Sequence, residues 1–135
     1  MRMKKDISKA LESALAQAVF NIAQVGERYS LKDCLMLQIL GAENSRAYRT
    51  LSSQLEGWQI RQLRLRLERF AYHTGQHTAS PEVYYKRYAE LLTEQFADAE
   101  RVHTEHALID ILSDRTTLSS RLFALYGVTA ESIKS

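Results

Sequence analysis

Residues that break helices are scarce in this chain: one proline and five glycines among 135 residues. Proline removes a backbone donor and clashes with the preceding turn, and glycine loosens the backbone. Between these six positions little prevents a helix, and an apolar repeat of helical period fills the space. Ile7, Leu11, Leu15, Ala18, Ile22 and Val25 recur at three- and four-residue steps, the stripe of an amphipathic helix. Gly26 follows as a stop. No segment alternates apolar and polar residues as a half-buried strand does. The expected fold class is all-α, with eight helices and no sheet.

Caps place the other seven helices. Ser30 with Asp33 forms a capping box before "CLMLQIL", a segment apolar on almost every side and so expected to be short and buried. Asn44 or Ser45 caps a third helix through Leu55, and Gly57 separates it from "QIRQLRLRLERFAY", whose core face is Ile60, Leu63, Leu67 and Phe70. "HTGQHTASP" reads as a loop. Ser80 before Pro81 is a helix start, because proline fits the first helical position. Tyr84, Tyr88, Leu91, Gln95 and Ala99 carry that helix's stripe, with Leu92 and Phe96 beside it, and Tyr85 points away. Thr104 caps "EHALIDIL", Thr116 or Thr117 caps "LSSRLFALY" up to Gly127, and Thr129 caps "AESIK". Leu15, Ile22, Leu37, Leu40, Leu63, Leu91, Leu108, Leu112 and Leu122 are the expected core.

The two halves follow one plan. Shifted by 72, "DCLMLQIL" from Asp33 lies over "EHALIDIL" from Glu105. Shifted by 70, "LEGWQIRQL" from Leu55 lies over "LYGVTAESI" from Leu125. Each unit is a long helix, a buried short helix, a third helix, then glycine and a fourth. Residues 1–135 are therefore expected to form one domain of two four-helix repeats related by a pseudo-twofold axis. Repeat one spans about 6–73, a loop covers 74–80, and repeat two spans about 81–135.

Composition bounds the function. Cys34 is the chain's one cysteine, so no internal disulfide can form, and a reducing, cytoplasmic setting is expected. No apolar run is long enough to span a membrane. A net charge of +2 gives no reason to expect nucleic acid or membrane as partner. Arg61, Arg64, Arg66 and Arg69 spread over the side of their helix away from its apolar stripe, as a solvated face does, with Trp58 as the one nearby aromatic. His103 and His106 stand three apart, and His73 and His77 flank the loop, a set that could be imagined around zinc. The competing reading makes "HTEH" a helix start, with Glu105 at its positive end. Cys34 lies in an apolar helix and is expected to be an inert packed thiol. Serine, histidine and aspartate occur without a nucleophile signature, so no catalytic constellation, cofactor or metal is expected.

Four stretches carry a resemblance to a known family. "VHTEHALIDIL" is similar to V-G-T-E-H-L-L-L-A-L-L, and "TTLSSRLFALYGVTAESI" to S-x-A-x-x-x-L-x-x-x-G-V-x-x-x-x-L. "ASPEVYYKRYAEL" resembles F-T-P-R-A-K-R-x-L-E-L, and "AVFNIAQVGERYSLKD" resembles A-x-x-x-A-x-x-x-G-x-x-x-x-x-x-E-H. Those patterns belong to the Clp amino-terminal domain, the double repeat at the front of the Clp unfoldase ATPases. The first repeat departs from the family at Asp33-Cys34, where the family has Glu-His. No P-loop stretch occurs in these residues, so the chain resembles the recognition module without its motor.

The resemblance implies a non-catalytic protein-interaction module in Clp-linked protein quality control. Its expected partners are protein substrates or adaptors of a Clp unfoldase or protease. In some family members the acid at the repeat start contacts phosphorylated arginine. Glu105 and Asp33 match that acid, Thr104 the threonine before it, and Ser80 the hydroxyl of the family's T-P opening. A carboxylate can accept from a guanidinium N–H, while a hydroxyl and helix amino termini serve the phosphate. Two alternatives are a regulator that competes with a full-length Clp ATPase for adaptors and a histidine- or zinc-dependent enzyme.

Overall fold

The computed structural model describes residues 6–25, 31–71 and 80–134. The expected stop at Gly26, the expected cap at Ser30 and residues 74–79 of the expected 74–80 loop lie outside them. In chain order the elements are β1 (Asp6–Ile7), α1 (Lys9–Val25), α2 (Leu31–Gly41), α3 (Arg46–Ser52) and α4 (Gly57–Ala71). Then follow α5 (Pro81–Gln95), β2 (Arg101–Val102), α6 (Thr104–Ser113), α7 (Leu118–Ala124) and α8 (Ala130–Lys134). The described residues thus hold eight helices, as the period of the sequence requires.

They also hold one feature that no period could reveal. β1 and β2 pair in parallel, Asp6 against Arg101 and Ile7 against Val102. Ser8 N then donates to Val102 O at 2.8 Å. Two residues are too few for an alternating pattern, so the pair is a tie between α1's start and α6's start rather than a sheet layer.

Most helix starts follow from their caps. Ser45 Oγ accepts from Tyr48 N, and Thr117 Oγ1 from Ser120 N. Ser80 precedes Pro81, which opens α5. Thr129 and Ser132 exchange backbone and hydroxyl bonds across the start of α8, a reciprocal box. Ser8, not expected as a cap, accepts from Leu11 N at 3.1 Å and so opens α1. Gly127 has φ +78°, the left-handed region that glycine adopts without Cβ strain. There Val128 N reaches back to Phe123 O at 3.0 Å and closes the end of α7.

α2 and α6 form the centre. α2 packs on α1, α4 and α6, and α6 packs on α3, α7 and α8 as well. α2 buries Cys34, Leu35, Met36, Ile39 and Leu40, and α6 buries Ala107, Leu108, Ile111 and Leu112. All eight helices send side chains into one continuous core, including Leu15, Leu51, Leu63, Leu92, Phe123 and Ala130. Burying each leucine contributes about 1.5–3 kcal/mol.

Several expectations are corrected. Leu91 is 46% exposed, and its neighbour Leu92 is buried instead. Leu37 and Leu122 are half-buried. α5 stops at Gln95, short of Ala99, and Phe96 leaves helical geometry to pack its ring on His106, centroids 4.9 Å apart. α3 ends at Ser52 rather than Leu55, and Gly57 opens α4 instead of standing between helices. Tyr85 is half-buried and packs against the core.

Candidate functional site

The "HTEH" stretch is the start of α6, but its residues divide the work differently from expectation. His103, in extended geometry, takes the cap position that Thr104 was expected to fill. His106 Nδ1 accepts from His103 N at 2.9 Å. Thr104 is therefore the first helical residue, and its hydroxyl turns away from its own helix. It is buried and accepts from Ala47 N at 3.1 Å, at the amino terminus of α3. A free amide in the first turn of α3 needs an acceptor, and Thr104 supplies it from across the fold.

Glu105 lies in the first turn of α6, as expected. Its Oε1 pairs with Arg46 Nη1 at 3.4 Å, with 35% of the Glu105 side chain and 57% of the Arg46 side chain exposed. The carboxylate is accessible, and it already accepts from a guanidinium. His103 has its pKa lowered, first by burial and then by the Arg46 guanidinium. The shift favours the neutral imidazole beside Glu105.

Asp33, placed at the matching point of α2, has a different environment. It is buried, and its two oxygens accept from Leu118 N at 3.1 Å and from Ser119 N at 2.8 Å. Ser119 Oγ donates as well, at 2.6 Å. Asp33 thus serves the first amides of α7, where a negative charge is favoured. Ser80 is exposed at the start of α5, and its hydroxyl makes no cap bond.

Among the described residues, no three histidine, cysteine, aspartate or glutamate side chains are grouped as a metal would need. His73 and His77 lie outside those residues. Cys34 is buried, and burial together with the Asp33 charge pushes its thiol up to about 11. A thiol so placed stays protonated and a poor nucleophile. No described helix is long and apolar enough to cross a membrane.

Two groups escaped the sequence reading. One is Arg46, which looks like an ordinary exposed arginine until α3 meets α6. The other is a polar cluster under α5. Lys32 Nζ lies 3.2 Å from Asp110 Oδ2 and 2.9 Å from Asp114 Oδ2. Tyr88 OH donates to Asp110 Oδ2 at 2.7 Å. Asp110 stands inside the apolar run "ALIDIL", and a buried carboxylate there had to find partners. That signal was present in the sequence, though the partners were not. Burial raises the Tyr88 hydroxyl's pKa strongly, helped by the Asp110 charge. The cluster is satisfied, with Asp110 and Tyr88 buried and Lys32 and Asp114 half-buried, which suits a strut between helices better than a reactive site.

Comparison with family models, with curated proteins and with solved structures finds no match.

Proposed function

We propose that this chain is a non-catalytic protein-interaction module of the Clp amino-terminal kind, built as two pseudo-twofold repeats. It docks protein substrates or adaptors of a Clp unfoldase. The observation that carries this reading is a pair of reciprocal contacts. Asp33, at the start of α2, serves Leu118 N and Ser119 N at the start of α7. Thr104 and Glu105, at the start of α6, meet Ala47 N and Arg46 at the start of α3. A shift of 72 carries 33 onto 105, 46 onto 118 and 47 onto 119. Ser45 and Thr117, the caps of α3 and α7, also stand 72 apart. Two repeats that each brace the other's third helix would make this pattern.

Glu105 is the residue of that set open to a partner. Arg46 is an exposed, flexible competitor that a partner's arginine or phospho-arginine displaces at little cost. A pull-down from the source cell should recover Clp ATPase, protease or adaptor subunits. Glu105→Ala should leave the melting midpoint nearly unchanged and weaken binding of the recovered partner or a phospho-arginine peptide by about 1.5–3 kcal/mol. Recovery of no Clp component, or wild-type binding by Glu105→Ala, refutes the proposal.

A further inference from the structure

α4 has two apolar sides. Ile60, Leu63 and Leu67 are buried in the core. On the opposite side Trp58 is 51% exposed and Leu65 62% exposed. At about 100° per residue, positions 58 and 65 fall on nearly one line along the helix. Arg61, Arg66 and Arg69 flank that line, and all three are exposed. None of the three makes an ion pair among the described residues, whereas Arg64 is held by Glu68 at 3.0 Å. Two acids lie near this face: Glu68 is taken up by Arg64, and Glu56 accepts from Trp58 Nε1 at 2.7 Å and so steadies the indole.

We propose that this outward face of α4 is a docking surface for an acidic amphipathic helix of a partner protein. A lone exposed leucine needs no explanation. A tryptophan and a leucine one heptad apart, bracketed by three cations, match a helix carrying apolar residues at the same spacing with carboxylates beside them. Charge complementarity selects this occupant over others. A second copy would set three arginines against three. A nucleic acid would use Trp58 and the arginines but leave Leu65 without a partner. A membrane surface asks for a broad apolar face, and α4 has already spent its broad face on the core. The proposal stands apart from Glu105, which lies on α6.

Trp58 is the chain's one tryptophan, so its emission reads this face directly. The probe is a set of helical peptides with leucines one heptad apart and glutamates beside them, titrated into the full chain. Saturable blue shift of Trp58 emission is expected, weakening as salt is raised. Leu65→Glu and Arg66→Glu should each weaken binding about ten-fold or more with no fall in melting midpoint. Glu105→Ala should bind the peptides as wild type does, which separates this surface from the proposed function. The proposal is overturned if no peptide shifts the emission or if lysine-flanked versions bind equally well. It is also overturned if oligo(dT) or phosphatidylserine vesicles bind and the peptides do not. Sedimentation showing self-association that Leu65→Glu abolishes would assign the face to a second copy instead.

Discussion

Asp33 and Glu105 are both acids in the first turn of a central helix, yet burial sets them different tasks. Asp33 accepts three hydrogen bonds and is 8% exposed; Glu105 has one exposed ion pair. Asp33→Ala should therefore leave two α7 amides and the Ser119 hydroxyl without their acceptor. The expected loss is about 3 kcal/mol, set by bonds to a charged group and the desolvation of stranded donors. Urea unfolding of the variant within 0.5 kcal/mol of wild type, a margin on the order of ordinary surface changes, would mean that water replaces the carboxylate. At this scale the sequence was half legible. The caps of α3 and α7 could be narrowed to Asn44 or Ser45 and to Thr116 or Thr117, because a cap acts on its own helix within three residues; Ser45 and Thr117 are the ones that cap. Thr104 could not be read correctly, because its hydroxyl serves Ala47, 57 residues away in sequence. The cap passed to His103, a residue type that carries no strong cap signal.

Between elements, the same limit appears as a choice of phase. α5 offers Leu91 and Leu92 side by side, and steps of three or four from Tyr88 are equally helical. The Tyr88 hydroxyl, tied to Asp110, fixes the rotation that buries Leu92 and leaves Leu91 outside. Leu112→Ala should then cost about 2–5 kcal/mol, since Leu112 is buried in α6. Leu91→Ala should stay within about 0.5 kcal/mol of wild type. Equal losses for the two would contradict the rotation of α5. The Lys32 cluster ties α2 to the end of α6 and carries a pH signature. Asp114 is lowered from 3.8 to about 2, chiefly by Thr116 and then by Lys32. A depressed carboxylate stabilises the fold above its unfolded pKa and loses that contribution as pH falls through its folded one. Lys32 is raised above 10.5: burial opposes its charge, but Asp114 and Asp110 outweigh burial. Its contribution is full below the unfolded value and fades as pH rises through the folded one. Asp114→Asn should therefore destabilise by about 1 kcal/mol at pH 7, after allowance for solvent screening. The difference from wild type should shrink between pH 4 and pH 2. A difference that stays constant over that acid range would remove Asp114 from the cluster's energetics.

For the whole molecule, the decisive fact is that neither half encloses its own core. α2 packs on α6, α1 packs on α5, and α3 packs on α6. The helix starts are served across the same divide, Leu118 and Ser119 by Asp33 and Ala47 by Thr104. The parallel pair of Ile7 with Val102 closes the arrangement. The sequence made the eight helices legible, since apolar stripes and caps leave signals within each helix. The contacts between the first four helices and the last four were not legible, because a single sequence records which faces are apolar and not which faces meet. Such an arrangement should unfold in one transition, as chains of this size with a shared core do. Calorimetric and van't Hoff enthalpies should agree, and far-ultraviolet dichroism should follow the same midpoint. Leu15→Ala in α1 and Leu108→Ala in α6, both fully buried, should each lower that one transition, by about 2–5 kcal/mol. Two separable transitions, each moved by only one of these substitutions, would show that the halves stand alone and that the cross-bracing contributes little.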